Sequence, residues 1–280
     1  MFDWMRYSRY YFAISLLVIA IGLVSILKFG LNLSIDFTGG SKLTLSNYAS
    51  SSATLREEFS SFDPQISQAG NDYIMLANTL TQGDVDAFTS RVASSSPDLK
   101  ISSFEVVGPS LSQETLKKTL VGLALASALL LWHISRAFKK INFGISAILA
   151  MFHDSLVLVG LYALFAHFFN LQMDVLFVTA FLTVLSFSVH DTIVVYDRIR
   201  ELKHRTPNAD IHHLANQAVS ETMVRSLVNS LTIIFMLLAL VLLGGESTKG
   251  FAIALLIGTI SGTYSSPFTA VPILVKLTKN

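Results

Sequence analysis

The sequence predicts an α-helical membrane protein with six transmembrane helices in a 1+5 arrangement and an inserted extracytoplasmic α+β domain of ferredoxin-like order. Of the 280 residues, 52% are hydrophobic and only 14% are charged, whereas a soluble domain carries about 25% charged residues. The mean hydropathy is +0.57. Six stretches approach the roughly 20 apolar residues that a helix needs to cross a bilayer. One long, polar, Ser-rich segment separates the first stretch from the second.

Charge and cysteine content exclude several functions. The net charge of +1 argues against a protein that binds nucleic acid through bulk positive charge, and we expect no nucleic-acid partner. The apolar content excludes intrinsic disorder. The absence of cysteine removes disulfides, thiolate metal sites and thiol catalysis.

The apolar stretches set the domain organisation. They are residues 11–27, 116–133, 141–165, 175–196, 224–243 and 251–275. We expect the first to be a retained anchor, because its apolar run is longer than the 7–15 residues of a cleaved signal and no A-x-A-like site follows it. The predicted domains are an N-terminal segment with the first helix (1–30), the extracytoplasmic α+β domain (31–115) and the remaining five helices (116–280).

Lysine and arginine near the membrane ends predict the orientation, because cytosolic loops carry an excess of these residues. One side contains nearly all of them, whereas the two short loops of the other side contain only Lys249. Both termini are therefore expected in the cytosol and the inserted domain outside. The cations on the cytosolic side are Arg6, Arg9, Arg136, Lys139, Lys140, Arg198, Arg200, Lys203, Arg205, Lys276 and Lys279.

The inserted domain has a readable pattern of strands and helices. Strands are expected at 42–45, 65–69, 73–77 and 101–107, with a hairpin turn at Gly70-Asn71-Asp72. Helical spacing relates Leu55 to Phe59, and Val85 to Phe88 and Val92. The order β-α-β-β-α-β is the ferredoxin-like one. Since no catalytic constellation appears in it, we expect this domain to make contact with another molecule.

A polar stretch precedes the fifth apolar segment. Near 207–222, a cytosolic amphipathic helix on the membrane surface is expected. Its apolar face would contain Ile211, Leu214, Ala215, Ala218 and Thr222. The adjacent His212 and His213 lack a third ligand nearby, and no metal site is expected there.

Asp191 is an acid inside the fourth apolar stretch. It lies about 8 Å from the end of that stretch at 1.5 Å per residue. A charge at mid-membrane costs at least about 2.5–3.5 kcal/mol, and such residues usually face a bundle interior and have a function. An unpaired carboxylate there could hold a proton at neutral pH; the alternative is a carboxylate tied permanently to a structural partner. Arg225, which opens the fifth stretch, is either a snorkelling topological residue or a counter-ion of Asp191.

His153 and Asp154 lie near the middle of the third stretch. They form either part of a proton relay or a hydrogen-bonded contact between helices. A third reading joins them with His190 and Asp191 in an intramembrane metalloenzyme. That reading is poor because neighbouring residues on a helix point about 100° apart, and H-E-x-x-H and G-x-S-x-G are absent. We therefore expect no catalytic residues, metal or cofactor.

Small residues mark one face of the sixth stretch. Gly258, Gly262 and Ser266 recur every four residues, a spacing that lets membrane helices approach closely. The pattern predicts a packing or sliding surface.

Three sequence blocks resemble the SecF branch of the SecD/SecF family of bacterial protein-export membrane subunits, and the resemblance covers nearly the whole chain. The first, Gly30 to Gly40, contains Asp36, Gly39 and Gly40. The second, Asp191 to Glu201, contains Thr192, Asp197 and Arg198. The third runs from Gly244 through Gly250-Phe251 to Ser266.

The resemblance implies a subunit of the bacterial inner membrane that forms a pseudo-symmetric twelve-span unit with SecD, similar to RND transporters. That unit would assist the SecYEG channel, with YajC as a further partner, and use the proton-motive force to draw unfolded preproteins outward. In the family, the aspartate of the second block and an arginine opening the fifth span are linked to proton movement. These positions are Asp191 and Arg225 here. His190 departs from the family pattern, where Asn or a similar residue is expected; its imidazole either tunes or extends the relay or is silent.

Two further functions stay open at this point. The chain could be a passive membrane scaffold that docks SecD and the channel, with the buried Asp191 and Arg225 only structural. It could also be another RND-like proton-coupled transporter.

Overall fold

The computed structural model describes residues 2–48, 51–69, 72–93, 96–137 and 140–279. Gly70 and Asn71 of the expected hairpin turn and the expected cytosolic Lys139 lie outside these ranges, as does the side chain of Lys279. The chain divides into two compact units. The helical unit comprises Met1–Leu31, Leu123–Leu164 and Leu176–Asn280, and the sheet unit comprises Asn32–Gly122 and Phe165–Val175.

In the part of the chain that the structure describes, six helices or runs of consecutive helices are long and apolar enough to cross a membrane. They confirm the predicted helical membrane fold, although most extend beyond the apolar stretches into polar sequence. The α-helices in chain order are α1 (Ser8–Phe29), α2 (Ile35–Thr38), α3 (Ser52–Glu58), α4 (Gln82–Val92), α5 (Pro109–Ala137), α6 (Ile141–Phe169), α7 (Val175–Arg205), α8 (Ile211–Leu243), α9 (Glu246–Ser265) and α10 (Val271–Lys279).

The expected surface helix near 207–222 is not a separate element. From Ile211 onward these residues form the first part of α8, which continues without a break to Leu243. Their apolar face does not lie free for a membrane surface, because Leu214, Ala215 and Ala218 are fully buried in the same core as Leu202 of α7. Packing in this core, which also contains Met5 and Leu274, therefore replaces the lipid contact that the amphipathic pattern suggested.

The sixth span is interrupted by one π turn. It consists of α9 and α10 joined through Ser266–Ala270, where the Val271 N–H donates to the Ser266 carbonyl. Pro267 explains the change in register, because it has no backbone N–H to donate to the carbonyl of Thr263. The residues of this turn, except Phe268, are buried.

Helices α1 and α6 touch at backbone level. A Cβ atom built on Gly22 would lie 2.8 Å from the Gly160 Cα atom, and one on Gly160 would lie 2.6 Å from the Gly22 Cα atom. Two glycines facing each other thus allow an approach that any side chain would prevent.

The sheet unit contains four antiparallel strands in the order β2-β3-β1-β4. With α3 between β1 and β2 and α4 between β3 and β4, this is the predicted ferredoxin-like arrangement. Alternate residues of β1 are buried, and its Leu43 and Leu45 pack with Leu55 of α3 and Phe88 of α4. The strands are β1 (Gly40–Ser46), β2 (Gln65–Ala69), β3 (Asp72–Ala77) and β4 (Lys100–Val107).

Candidate functional site: a polar cluster in the helical unit

Asp154 of α6 is the most completely satisfied acid in the helical unit. Its side chain is 0% exposed, and it accepts three hydrogen bonds from two other helices. Ser188 of α7 donates to Oδ2 at 2.5 Å, and from α9 Ser261 donates to Oδ1 at 2.6 Å and Ser265 to Oδ2 at 2.5 Å. On its own helix, Nδ1 of His153 lies 3.0 Å from Oδ1. Asp154 therefore ties α6, α7 and α9 together.

Asp191 of α7 is also buried, with 7% of its surface exposed, and the hydroxyl groups of Ser226 and Ser266 interact with its carboxyl group. Ser226 of α8 donates to its Oδ1 at 2.8 Å. Its Oδ2 is buried and has no hydrogen-bond partner within the described residues. A buried carboxylate oxygen without a donor is costly for the ionised form. The environment of Asp191 thus differs in kind from that of Asp154.

Arg225 and His190 make no hydrogen bond to this cluster within the described residues, although His190 interacts electrostatically with Asp191. Both side chains are exposed. Within the described residues, Arg225 forms neither an ion pair nor a hydrogen bond. The structure brings Asp191 to Ser226, the residue after Arg225, and not to the guanidinium. Consecutive residues on a helix point about 100° apart, which explains how α8 can present serine to Asp191 while its arginine points elsewhere.

Hydroxyl groups continue the polar cluster beyond the two acids. Thr192 and Ser266 lie 3.0 Å apart, oxygen to oxygen. The phenol of Tyr196 is 0% exposed and donates to Ser146 at 2.7 Å and to the Ala270 carbonyl in the π turn at 3.1 Å. Most of these hydroxyl groups were not predicted from the sequence. The available signal was the i, i+4 spacing of Ser261 and Ser265 on one helix.

The small residues of the sixth span contact α7. A Cβ atom on Gly258 would lie 2.1 Å from Cγ2 of Val184, and one on Gly262 would lie 3.3 Å from Cα and Cβ of Ser188. Ser266 donates to the Gly262 carbonyl at 3.0 Å. This close approach brings the serines of α9 to the acid of α6.

The remaining motif residues of the second block tie α7 to α8 at the end near Arg205. Arg198 donates to Glu221 of α8 at 2.5 Å and also contacts Glu201. Asp197 accepts from Arg200 at 2.9 Å. Exposed ion pairs of this kind each stabilise by about 0–1 kcal/mol, but here one guanidinium joins two helices.

The first block forms a tight junction inside the sheet unit. Gly39 ends α2 with φ +75° and Gly40 begins β1 with φ +117°, and a Cβ on Gly40 would lie 2.6 Å from the Ala77 carbonyl oxygen. Asp36 accepts from Ser34 at 3.1 Å and from the Val175 amide at 3.5 Å. Both glycines are therefore required by backbone geometry, and Asp36 links α2 to the first residue of α7.

The described residues contain no group of three or more His, Asp or Glu side chains placed to hold a metal ion. His190, exposed, and His153, buried, face different surroundings. Nothing in this arrangement unites the four residues of the metalloenzyme hypothesis.

Comparison with known proteins identifies the family. Residues 87–280 match the family described as "Protein export membrane protein SecD/SecF, C-terminal", and residues 24–46 match the "SecD/SecF GG Motif".

Individual relatives agree over the full length. The protein translocase subunit SecF of Thermobaculum terrenum is 39% identical over 98% of this chain and 93% of the relative. That of Anaerolinea thermophila is 37% identical over 96% of this chain and 92% of the relative. The crystal structure of SecDF, a translocon-associated membrane protein from Thermus thermophilus, superposes with a TM-score of 0.88 at 30% identity; it covers 100% of this chain, which spans 39% of that longer one. The chain therefore belongs to the SecD/SecF family of protein-export membrane proteins, as a transport protein of the SecF type.

Proposed function

We propose that this chain, with a SecD-type partner, converts the proton-motive force into movement that promotes preprotein passage through SecYEG and across the bacterial inner membrane. Both termini face the cytosol and the sheet unit faces outward, as the lysine and arginine distribution indicates. The observation that carries the proposal is Asp191, buried between α7 and α8 with one carboxylate oxygen lacking a partner in the described part of the chain.

Proton binding at Asp191 has a direct structural consequence. The ionised carboxylate accepts the Ser226 hydroxyl, whereas the protonated acid becomes a donor at one oxygen and accepts more weakly at the other. The contact that joins α7 to α8 therefore changes with each proton. Protonation is the charge event and the packing of these helices is the element with two states.

The available energy sets the number of protons. Moving one charge through 100 mV supplies about 2.3 kcal/mol, whereas shifting a two-state equilibrium from 1:99 to 99:1 needs about 5.5 kcal/mol. One proton at that potential moves the equilibrium only several tens-fold. More than one proton per stroke, or a contribution from the pH gradient, is expected.

Exposed polar side chains on the membrane-spanning helices support the proposal that a membrane partner covers this surface. His190 of α7 and Arg225 and Asn229 of α8 are exposed and have neither an ion pair nor a hydrogen bond in the described residues. Polar groups at membrane depth rarely face lipid. A SecD-type subunit that covers this surface would supply their partners, including an acid for Arg225. The SecDF crystal structure, of which this chain resembles one part, is consistent with such a pair.

The test is Asp191→Asn in vesicles that contain the chain, its partner and the channel. We expect the variant to assemble normally and to lose the stimulation of preprotein export by an imposed proton gradient. Asp210→Asn is the matched control, because Asp210 is an exposed residue that precedes α8 and makes no capping bond with its side chain. Normal gradient-driven export by Asp191→Asn would leave the passive scaffold as the function.

A further inference from the structure

We infer that Nε2 of His153 is a second proton-binding atom of the helical unit, with Asp154 as its fixed counter-ion. This inference rests on the proposed proton-coupled function and adds a site to it. The two residues follow each other on α6, and the imidazole nitrogen Nδ1 lies 3.0 Å from Asp154 Oδ1.

The hydrogen bonds around Asp154 define its role. It accepts from Ser188, Ser261 and Ser265, and the nearby Nδ1 of His153 completes four contacts. An ionised carboxylate has about four acceptor sites and no proton to give. Three hydroxyl groups donate to Asp154, and hydrogen bonds to a charged acceptor are the stronger ones, so the arrangement fits a carboxylate that stays ionised.

An ionised Asp154 fixes the tautomer of its neighbour. The nitrogen that faces the carboxylate carries the hydrogen, and the second nitrogen, Nε2, then presents a lone pair. Nε2 is buried without a partner in the described part of the chain, and the residue is 8% exposed. The imidazole is thus oriented with a free basic nitrogen inside the bundle.

The charge balance favours a proton at this atom. With His153 neutral, the pair of residues has a net charge of −1. A proton that adds to Nε2 forms an imidazolium beside the carboxylate, and the pair becomes neutral without breaking any of the three serine hydrogen bonds. A buried ion pair is tolerated where hydrogen bonds satisfy it, as the serines do here.

Charged and polar groups of α7 and α9 face this pair. From α7, Asp191 interacts electrostatically with Asp154, and His190 interacts with Asp191. From α9, the groups that face the pair are the hydroxyls of Ser261 and Ser265.

The test uses histidine labelled with ¹⁵N in the full chain, in lipid nanodiscs. The signal of His153 is identified by its loss in His153→Gln, with His213→Gln, an exposed histidine of α8, as the matched control. We expect His153 to hold its hydrogen on Nδ1 at high pH and to gain a second on Nε2 as the pH falls. Asp154→Asn should weaken proton binding at His153 at least tenfold, which is about one pH unit.

Three results would overturn the inference: a hydrogen on Nε2 instead of Nδ1 at high pH, a ring that stays neutral throughout the range in which the chain remains folded, or titration that Asp154→Asn leaves unchanged in a folded variant. If Asp154→Asn does not fold, the wild-type titration still decides. Loss of gradient-driven export in Asp191→Asn with no titration of His153 would leave the proposed function intact and remove this site alone.

Discussion

Replacing Gly258 with alanine should push α9 away from α7. The new Cβ would lie 2.1 and 2.5 Å from the two methyl carbons of Val184 and 2.8 Å from its Cβ. Rotating Val184 about χ1 moves the methyl groups but not the Cβ, and valine has one strongly preferred rotamer in a helix. The clash can therefore be relieved only by separating the helices.

The expected change in the free energy of unfolding of Gly258→Ala is the sum of two opposing effects. Overpacking a core contact costs about 1–3 kcal/mol, and alanine gains about 0.8–1.0 kcal/mol over glycine in a helix. Because backbone must move, we expect a net loss of about 1–2 kcal/mol in the free energy of unfolding. Reversible unfolding in mixed micelles, followed by circular dichroism, measures it.

The control is Gly144→Ala in α6, where nothing lies within 4 Å of the new Cβ. It should be neutral or stabilise by up to about 1 kcal/mol. Adding Val184→Ala to Gly258→Ala should restore part of the loss, since the two closest atoms disappear. Equal stability of Gly258→Ala and Gly144→Ala, or no rescue in the double variant, would refute the close approach of α7 and α9.

Three other predictions concern residues outside the polar cluster. Gly40→Ala should destabilise the sheet unit by about 1–3 kcal/mol, because φ +117° strains any side chain; proteolysis of the sheet unit no faster than in wild type would contradict this. The Asn216 amide, which donates to Asp3, holds the pKa of that carboxyl below its ordinary 3.8. Its stabilising effect is therefore present above pH 3.8 and should fade as the pH falls further, seen as lower amide-exchange protection of the N-terminal turn relative to the intrinsic rate at each pH; Asp3→Asn should remove this pH dependence. A double-mutant cycle on Arg198 and Glu221 should give a coupling of about 0.2–1 kcal/mol that decreases with salt, whereas salt-independent coupling would contradict a screened ion pair.

The membrane fold was predictable because its signal is strong and local. Twenty apolar residues in a row have few alternatives to a spanning helix, and alternation with turn residues sufficed for the four strands around Leu43 and Leu45. The prediction of a surface helix was wrong because an amphipathic sequence pattern does not show whether lipid or protein covers the apolar face. Leu214 and Ala218 are buried in the core of the helical unit together with Met5 and Leu274, which lie far away in the sequence.

The candidate site was predictable only in part, for a related reason. An acid inside an apolar stretch is visible in the sequence, so Asp154 and Asp191 could be found. Their partners could not, because serine is common in membrane helices and bonds its own backbone as readily as a distant carboxylate. The pairing of Asp191 with Ser226 rather than with Arg225 depends on the rotation of α8 about its axis, which a sequence does not specify.

The most direct test of the central proposal measures whether Asp191 controls the packing of α7 against α8. The chain contains no cysteine, so spin labels can be attached at Leu176→Cys and Leu242→Cys, two exposed positions near the ends of these helices. Distances between the labels are measured in nanodiscs at pH 5 and pH 8. In the wild-type background we expect two distances between the labels, whose populations change with pH. In Asp191→Asn we expect a single distance distribution that does not depend on pH. Two results would contradict proton binding at Asp191 as the event that moves these helices: a wild-type distance that does not change with pH, or a pH-dependent distance in Asp191→Asn.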